Sequence, residues 1–309
     1  MSSKNKKGLP IHGWLNIDKP AGMTSSAVVG KVRHLVGAAK AGHGGTLDPM
    51  ATGILPIALG EATKTVSYAM DGTKAYRFTL RFGAATTTDD AAGEVIAESN
   101  IRPNRDSLSA AFEFFIGEIQ QVPPAFSAIK VDGRRAYHLA REEVEFKLSA
   151  RTVRVDSLRL VEMPDADNAV IEAVSGKGVY IRSLARDIAV QLSSVGHVAA
   201  LRRTAVGPFT EATAISLDKL ESLGHSAADS EALLAIETVL DDIPALALTA
   251  QEAHRLKNGQ AIPTLPVANR SPFRNVCQGD LVCAMAEGKL VALAKIWGGE
   301  IRPVRVLNL

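Results

Sequence analysis

The chain has 309 residues, enough for a large core and for one to three domains. Its 46% apolar and 22% charged residues are those of a soluble globular protein, which excludes a disordered or fibrous chain. A net charge of +2 does not by itself call for a polyanionic partner, so local clusters of basic residues matter more than the total.

Lys4, Lys6 and Lys7 form a basic tail within residues 1–10, read as a frayed solvated terminus or as a phosphate-touching arm. "WLNID" (14–18) predicts a short strand. Thr24 or Ser25 then caps a helix in which Val28, Val32, Leu35 and Val36 recur at helical spacing, until Gly37 stops it. After a glycine-dense stretch, "ILPIALG" predicts a buried strand and "EATKTVSYAM" a helix. "KAYRFTLRFG" alternates strictly: Tyr76, Phe78, Leu80 and Phe82 share one strand face, and Arg77, Thr79 and Arg81 the other. "GEVIAES" is its expected neighbour, and "RDSLSAAFEFFIGEI" predicts an amphipathic helix carrying Leu108, Ala111, Phe112 and Phe115.

Residues 121–150 open on Pro123 and Pro124 and are dense in charge, which predicts a surface excursion with a short helix in "RRAYHLARE". Two strands follow, "RVDSLRLVEM" and "NAVIEAVSG". "YIRSLARDIAVQLS" then predicts a helix with Ile181, Leu184, Ala185, Ile188 and Leu192 on one face. "LRRTAVGPFT" returns as a strand, and residues 214–240 read as helical with a polar interruption. The character changes after Pro244. Thr249 and Glu252 have capping-box spacing, and "DLVCAMAEGKLVALAKIW" predicts a hairpin turning at Glu287-Gly288. These signals put a domain boundary near residue 245. Strands and helices without a regular βαβ beat indicate an α+β fold with much antiparallel pairing.

Cys277 and Cys283 are the only cysteines, no signal-peptide pattern precedes them, and no apolar run approaches a membrane span. A cytoplasmic chain with reduced thiols and no membrane partner is the expectation. The basic pairs Arg134/Arg135, Arg151/Arg154 and Arg202/Arg203 read as solvated faces, or as a backbone-binding footprint if they converge.

The stretch "AGHGGTLDPMATGILPIALG" (41–60) places one carboxylate, Asp48, between five glycines and an apolar run. It lacks the Gly-Lys-Ser/Thr of a P-loop, and Gly42, Gly44 and Gly45 do not fit a dinucleotide fingerprint. His43 and Asp48 without a third ligand make a weak metal site. Two readings stay open from the residues alone. "TLDP" is a good turn sequence, and a carboxylate in a partly apolar pocket, beside glycines that admit a flat substrate, is a nucleophile or base.

On this stretch, "GHGGTLDPMATGILPIALGEATK", the chain resembles the TruB family of pseudouridine synthases, which isomerise uridine 55 in the TΨC arm of tRNA. Further family motifs follow in order: "LNIDKPAGMTS", "KAYRFTLRFG", "TTTDDAAGEV", "PPAFSAIKVDGRRAY", "SGKGVYIRSLARDIA" and "HVAALRRTAVGPF". The resemblance covers roughly residues 11–245, and residues 245–309 resemble the PUA-type RNA-binding domain. It implies a pseudouridine synthase catalytic fold over residues 11–244: a central mixed, mostly antiparallel sheet flanked by helices. An RNA-gripping insertion would occupy about 121–152, and a small PUA-like β-rich domain 245–309. Position 44 is Gly where the family usually has Thr, and position 87 is Thr where Asp is common.

The implied roles are as follows. Asp48 starts glycosidic bond cleavage. Tyr76 stacks on the flipped uracil and relays a proton. Arg182 pairs with Asp48 and keeps it ionised, and Asp90 holds Arg182 in turn. Tyr180 belongs to the Tyr-Ile-Arg motif, Leu201 walls the base pocket, and His43 fills the gap left by the flipped base. Lys19 and Lys130 are phosphate or pocket-wall candidates. The reaction calls for no cofactor and no metal, and the implied partner is the tRNA TΨC stem-loop, bound by a monomer with no obligate protein partner. A tRNA-folding chaperone and a guide-RNA-dependent pseudouridylation subunit are the alternative readings.

Overall fold

The computed structural model describes residues 8–271 and 276–309. The basic tail at Lys4, Lys6 and Lys7 lies outside the described residues. Among the described residues no helix is long and apolar enough to cross a membrane.

Strand β1 (Gly13–Lys19) leads into helix α1 (Ser25–Val36). Thr24 is the N-cap, accepting from the Ala27 N–H at 3.1 Å, and Gly37 ends the helix in the left-handed region at φ 68°. β2 (Ala41–His43) and β3 (Thr52–Leu59) form an antiparallel hairpin whose long loop carries Asp48. The helix expected over 61–70 is broken at Thr65 into a 3-10 turn (Gly60–Lys64) and the short α2 (Val66–Asp71).

β4 (Lys74–Phe82) buries Phe78, Leu80 and Phe82, as its alternation predicts. The expected partner of β4 is not its partner. β5 (Ala84–Thr86) and β6 (Val95–Glu98) pair with each other in a small separate sheet, because both edges of β4 are taken by later strands. α3 (Arg105–Ala111) is shorter than its pattern, passing through a 3-10 turn into strand β7 (Gly117–Gln121) where Gly117 turns the chain at φ 95°. The 121–150 segment holds a two-stranded hairpin, β8 (Lys130–Val131) and β9 (Arg134–Arg135), then α4 (Ala136–Arg141).

β10 (Arg151–Glu162), β11 (Asn168–Ser175), α5 (Ile181–Gln191) and β12 (Gly196–Val206) complete the main body. Residues 214–240 hold the expected helix with a polar interruption: α6 (Leu217–Leu223) runs into a 3-10 segment (Gly224–Asp229), the chain breaks at Ser230, and a 3-10 turn (Ile236–Val239) follows. The short strands β13 (Phe209–Thr210), β14 (Ile215–Ser216) and β15 (Leu233–Leu234) flank these turns. The central sheet runs β14-β1-β3-β12-β4-β11-β10-β7, with only the β1–β14 and β3–β12 pairs parallel. This is the mixed, mostly antiparallel α+β sheet expected from the sequence.

Alternation along β1 and β3 divides the core in two. Leu15, Ile17, Leu55, Ile57 and Leu59 face a cluster completed by Val28 and Val32 of α1, Leu184 and Ile188 of α5, and Leu220 of α6. Trp14, Ile54 and Ala58 face the other way. A second sheet covers that side: β16 (Ala245–Ala247), β17 (Ile262–Pro263), β18 (Leu281–Ala286), β19 (Lys289–Trp297) and β20 (Glu300–Val306), with α7 (Ala250–Lys257) and α8 (Thr264–Ala268). This C-terminal β-rich unit has its own core around Leu246, Val282, Ala292 and Ile301. Thr249 and Glu252 close the expected capping box, and the β18–β19 turn has positive φ at both Glu287 and Gly288. Cys283, Leu290, Leu293 and Leu307 join Trp14, Ile54, Val206 and Phe209 in one apolar cluster between the two sheets.

Because that cluster ties the sheets together, they should unfold as one cooperative unit. The chain has two tryptophans, buried Trp14 in the first sheet and exposed Trp297 in the second. Chemical denaturation followed by Trp14 in Trp297→Phe, and by Trp297 in Trp14→Phe, should give a single transition each. Leu293→Ala should lower the stability of the Trp297→Phe protein, read at Trp14, by about 2–5 kcal/mol. A shift at Trp297 that leaves Trp14 unmoved would show two independent units.

Candidate active site

The hairpin loop that carries Asp48 is rich in glycine; Leu47 and Ala51 anchor it in the main core, and polar pins fix its shape. Ser25 supplies one from the first turn of α1. Its hydroxyl donates to Leu47 O at 3.0 Å and accepts from the Leu47 N–H at 2.8 Å. The Gly22 N–H and the Lys19 ammonium both donate to Pro49 O, at 2.8 and 3.2 Å. From β12, Arg203 reaches Gly45 O at 3.0 Å and Thr46 O at 3.3 Å. The Ala51 N–H closes the turn on Asp48 O at 3.1 Å. Asp48 is thus presented from a rigid loop, with its side chain 34% exposed.

Arg182, on the first turn of α5 and only 4% exposed, meets that carboxylate side-on. Its Nε donates to Asp48 Oδ2 at 2.8 Å and its Nη2 to Asp48 Oδ1 at 3.1 Å. The same fork donates to Thr88 O at 2.9 Å and Phe126 O at 3.0 Å. Asp90 is buried behind it, with Oδ2 3.7 Å from Arg182 Nε. That distance is a charge contact rather than a hydrogen bond. The expected Asp48–Arg182–Asp90 bridge is therefore hydrogen-bonded on the Asp48 side alone. Asp90 turns its other oxygen to the Thr88 hydroxyl at 2.6 Å and the Ala92 N–H at 3.0 Å, shaping the turn that offers Thr88 O to the arginine.

Tyr180 stands at the N-cap of α5, half-buried. Its N–H donates to Gln121 Oε1 at 2.8 Å, and the Gln121 amide donates back to Tyr180 O at 3.2 Å. Burial, with the nearby Asp48 charge adding to it, pushes its phenol pKa up. Tyr76 lies directly opposite Arg203 in the β4–β12 ladder. His43 is the last residue of β2, partly buried, with Nδ1 shut away from protein partners. Burial, and next the Arg203 charge, push its pKa down, so the ring is neutral at pH 7. Leu201 is buried on β12, and with Met50, Phe78 and Ala91 it lines a shallow cavity of about 490 Å³ beside the aspartate loop.

The two lysine candidates sit in different surroundings. Lys19 is fully buried, so it touches no phosphate; its ammonium donates to Pro20 O at 2.8 Å and to Pro49 O. Lys130 is exposed on the β8–β9 hairpin and takes no part in the buried hydrogen-bonded cluster. Gly44 faces inward as well. A Cβ there would sit 3.0 Å from Ala69 Cβ and 3.5 Å from Trp14, so this position touches the core rather than the cleft. Ser25, Gln121 and Arg203 were not legible as site residues. Arg203 had one usable signal: it lies two residues after Leu201 on a strand, hence on the same face.

The class of protein follows from this sheet and its comparisons. An H/ACA ribonucleoprotein bound to a substrate RNA superposes with TM-score 0.73 at 24% identity, covering 100% of this chain and 92% of that one. A Cbf5-Nop10-Gar1 complex gives TM-score 0.70 at 26% identity, covering 100% and 90%. The fold is the pseudouridine synthase fold. The chain belongs to the TruB family of pseudouridylate synthases: residues 33–181 match its N-terminal domain, and residues 182–243 the C-terminal domain of tRNA pseudouridylate synthase B. A tRNA pseudouridine synthase B of Rhodospirillum rubrum is 55% identical, over 99% of this chain and 100% of the relative. One from a Caulobacter strain is 53% identical, over 99% of each.

Lys19 generates a pH-dependent signature. Burial outweighs the attraction of Asp48 and brings its pKa from 10.5 down to about 8. Between those values the unfolded chain binds more protons at this group than the folded one, so stability from Lys19 rises with pH. The unfolding free energy of wild type should therefore gain on that of Lys19→Met between about pH 8 and 10.5. A constant difference across parallel denaturant titrations would show that the ammonium does not titrate there.

Proposed function

We propose that this enzyme converts uridine to pseudouridine at position 55 of tRNA, in the TΨC arm, and that Asp48 starts the reaction. One observation carries the reading: a carboxylate held bidentately by a buried arginine yet left one-third open to solvent. The relatives named tRNA pseudouridine synthase B support tRNA as the substrate.

The target base must leave its stack at a cost of a few kcal/mol. Aromatic and apolar contacts from Tyr76 and Leu201 would receive it. His43, being neutral, can occupy the vacated space without placing a charge in the stack. Asp48 initiates cleavage of the bond between N1 and the sugar. The uracil turns, C5 joins the sugar carbon, C5 gives up its proton, and N1 gains one. The Tyr76 hydroxyl relays the C5 proton. Arg182 keeps the carboxylate in one orientation throughout, because its planar fork engages both oxygens. Tyr180 packs beside the pair. Residues 11–244 would form the catalytic domain, residues 245–309 a PUA-like RNA-binding domain, and the enzyme would act in the cytoplasm as a monomer.

Two outcomes test this. Asp48→Asn should abolish pseudouridine formation in an unmodified tRNA transcript, mapped by mass, while filter binding changes only a few-fold; multiple turnover by this variant would remove Asp48 from the mechanism. Arg182→Lys keeps the charge but cannot hold both oxygens. The lysine cannot engage both oxygens and the Thr88 and Phe126 carbonyls as the fork does, so the single-turnover rate constant should fall steeply at saturating enzyme. Pseudouridine mapping to another position would redirect the substrate assignment.

A further inference from the structure

We propose that Arg203 is the positioning residue that fixes Asp48 and Tyr76 relative to one another; this rests on the roles given above to those two residues. Arg203 is 2% exposed, and among the described residues its guanidinium makes no hydrogen bond to a carboxylate. Nε donates to Ile54 O at 2.8 Å, Nη2 to Gly45 O at 3.0 Å, and Nη1 to Thr46 O at 3.3 Å. One side chain thus ties both limbs of the hairpin that presents Asp48.

The backbone of Arg203 stands directly opposite Tyr76 in the antiparallel β12–β4 ladder, so both side chains rise from the same sheet face. The guanidinium has five N–H donors, and the three carbonyls leave donors for the Tyr76 hydroxyl. Burial pushes the guanidinium pKa down, and the facing Tyr76, then Asp48, oppose that shift. The approach is possible because position 53 is glycine. At φ 99°, Gly53 carries no Cβ, which would lie 2.1 Å from Arg203 O. β3 and β12 therefore run in contact at this point, with Gly53 paired to Arg203.

A buried cation of this kind is a poor choice for stability alone, since an apolar side chain of similar volume fills such a place at lower desolvation cost. What an apolar side chain cannot do is donate to the aspartate loop while keeping N–H groups for the facing tyrosine. At 2% exposure Arg203 is withdrawn beneath the loop, so in this proposal it acts through the two residues it holds.

The test is a double-mutant cycle. Single-turnover pseudouridine formation on an unmodified tRNA transcript is followed across pH for wild type, Arg203→Lys, Tyr76→Phe and the double variant. Filter binding and thermal melting accompany each. Wild-type turnover and its loss in Asp48→Asn are read first and report on the proposed function independently of Arg203. Arg203→Lys should melt cooperatively, bind RNA within a few-fold of wild type, and lose on the order of 100-fold in rate constant, the scale of a 1 Å misplacement. Added to Tyr76→Phe, it should cost far less, and its pH–rate profile should differ from that of wild type. Losses that multiply, with an unchanged pH profile, would overturn the inference. If Arg203→Lys does not fold, ¹⁵N-arginine spectra of wild type and Tyr76→Phe decide. The Arg203 Nε–H resonance should move when the hydroxyl is removed, and an unmoved resonance overturns the inference.

Discussion

A guanidinium withdrawn from water must find acceptors for its N–H groups, and Arg182 imposes that demand at the centre of this molecule. Its acceptors come from separate stretches of chain: the β2–β3 loop through Asp48, the turn before β6 through Thr88, and the opening of the 121–150 excursion through Phe126. The arginine itself is carried by α5, whose apolar face is locked into the main core by Leu184 and Ile188. The packing of one helix therefore decides where four segments converge. Arg186, one turn further along, repeats the arrangement nearer the surface, pairing with Asp89 at 2.9 Å and donating to Val122 O at 2.9 Å. The excursion thus leaves the body from a doubly anchored base.

Pinning from below complements this. Ser25, Lys19 and Arg203 act on backbone carbonyls or N–H groups of the aspartate loop, whereas Arg182 acts on its one carboxylate. The division makes chemical sense. A loop held by its main chain stays put while the side chain changes partners during a reaction.

What the sequence made legible was local. The caps of α1, the alternation of β4, the capping box at Thr249 and the tight turn at Glu287-Gly288 each depend on residues a few positions apart. What it concealed was competition between distant segments. "GEVIAES" has good strand chemistry, but β11 and β12 occupy the edges of β4. The 61–70 stretch has helical composition, yet Thr65 turns its hydroxyl onto Ala62 O and divides it. Among the site residues, Asp48, Arg182, Asp90 and Tyr180 could be placed together from family resemblance. Ser25 looked like a cap alternative, and once Thr24 takes that role its hydroxyl is free for Leu47. Arg203 looked like part of a solvated basic pair, and Lys19 like a phosphate or pocket-wall candidate, because residue type predicts exposure for lysine and arginine, and only the three-dimensional contacts override it.

The bond between Arg203 and Thr46 O spans 157 positions of sequence, and that between Arg182 and Asp48 spans 134. During synthesis from the N-terminus, the aspartate loop would leave the ribosome long before either arginine. Until β12 is added to the sheet, β3 also lacks the neighbour on which Gly53 closes. The nascent chain would then carry its carboxylate on a loop held by the earlier residues Lys19, Gly22 and Ser25 but lacking both arginines, and the final organisation of the loop would come as one of the last long-range events of folding. Vectorial translation would in this way keep a half-made enzyme from grasping RNA in a competent geometry.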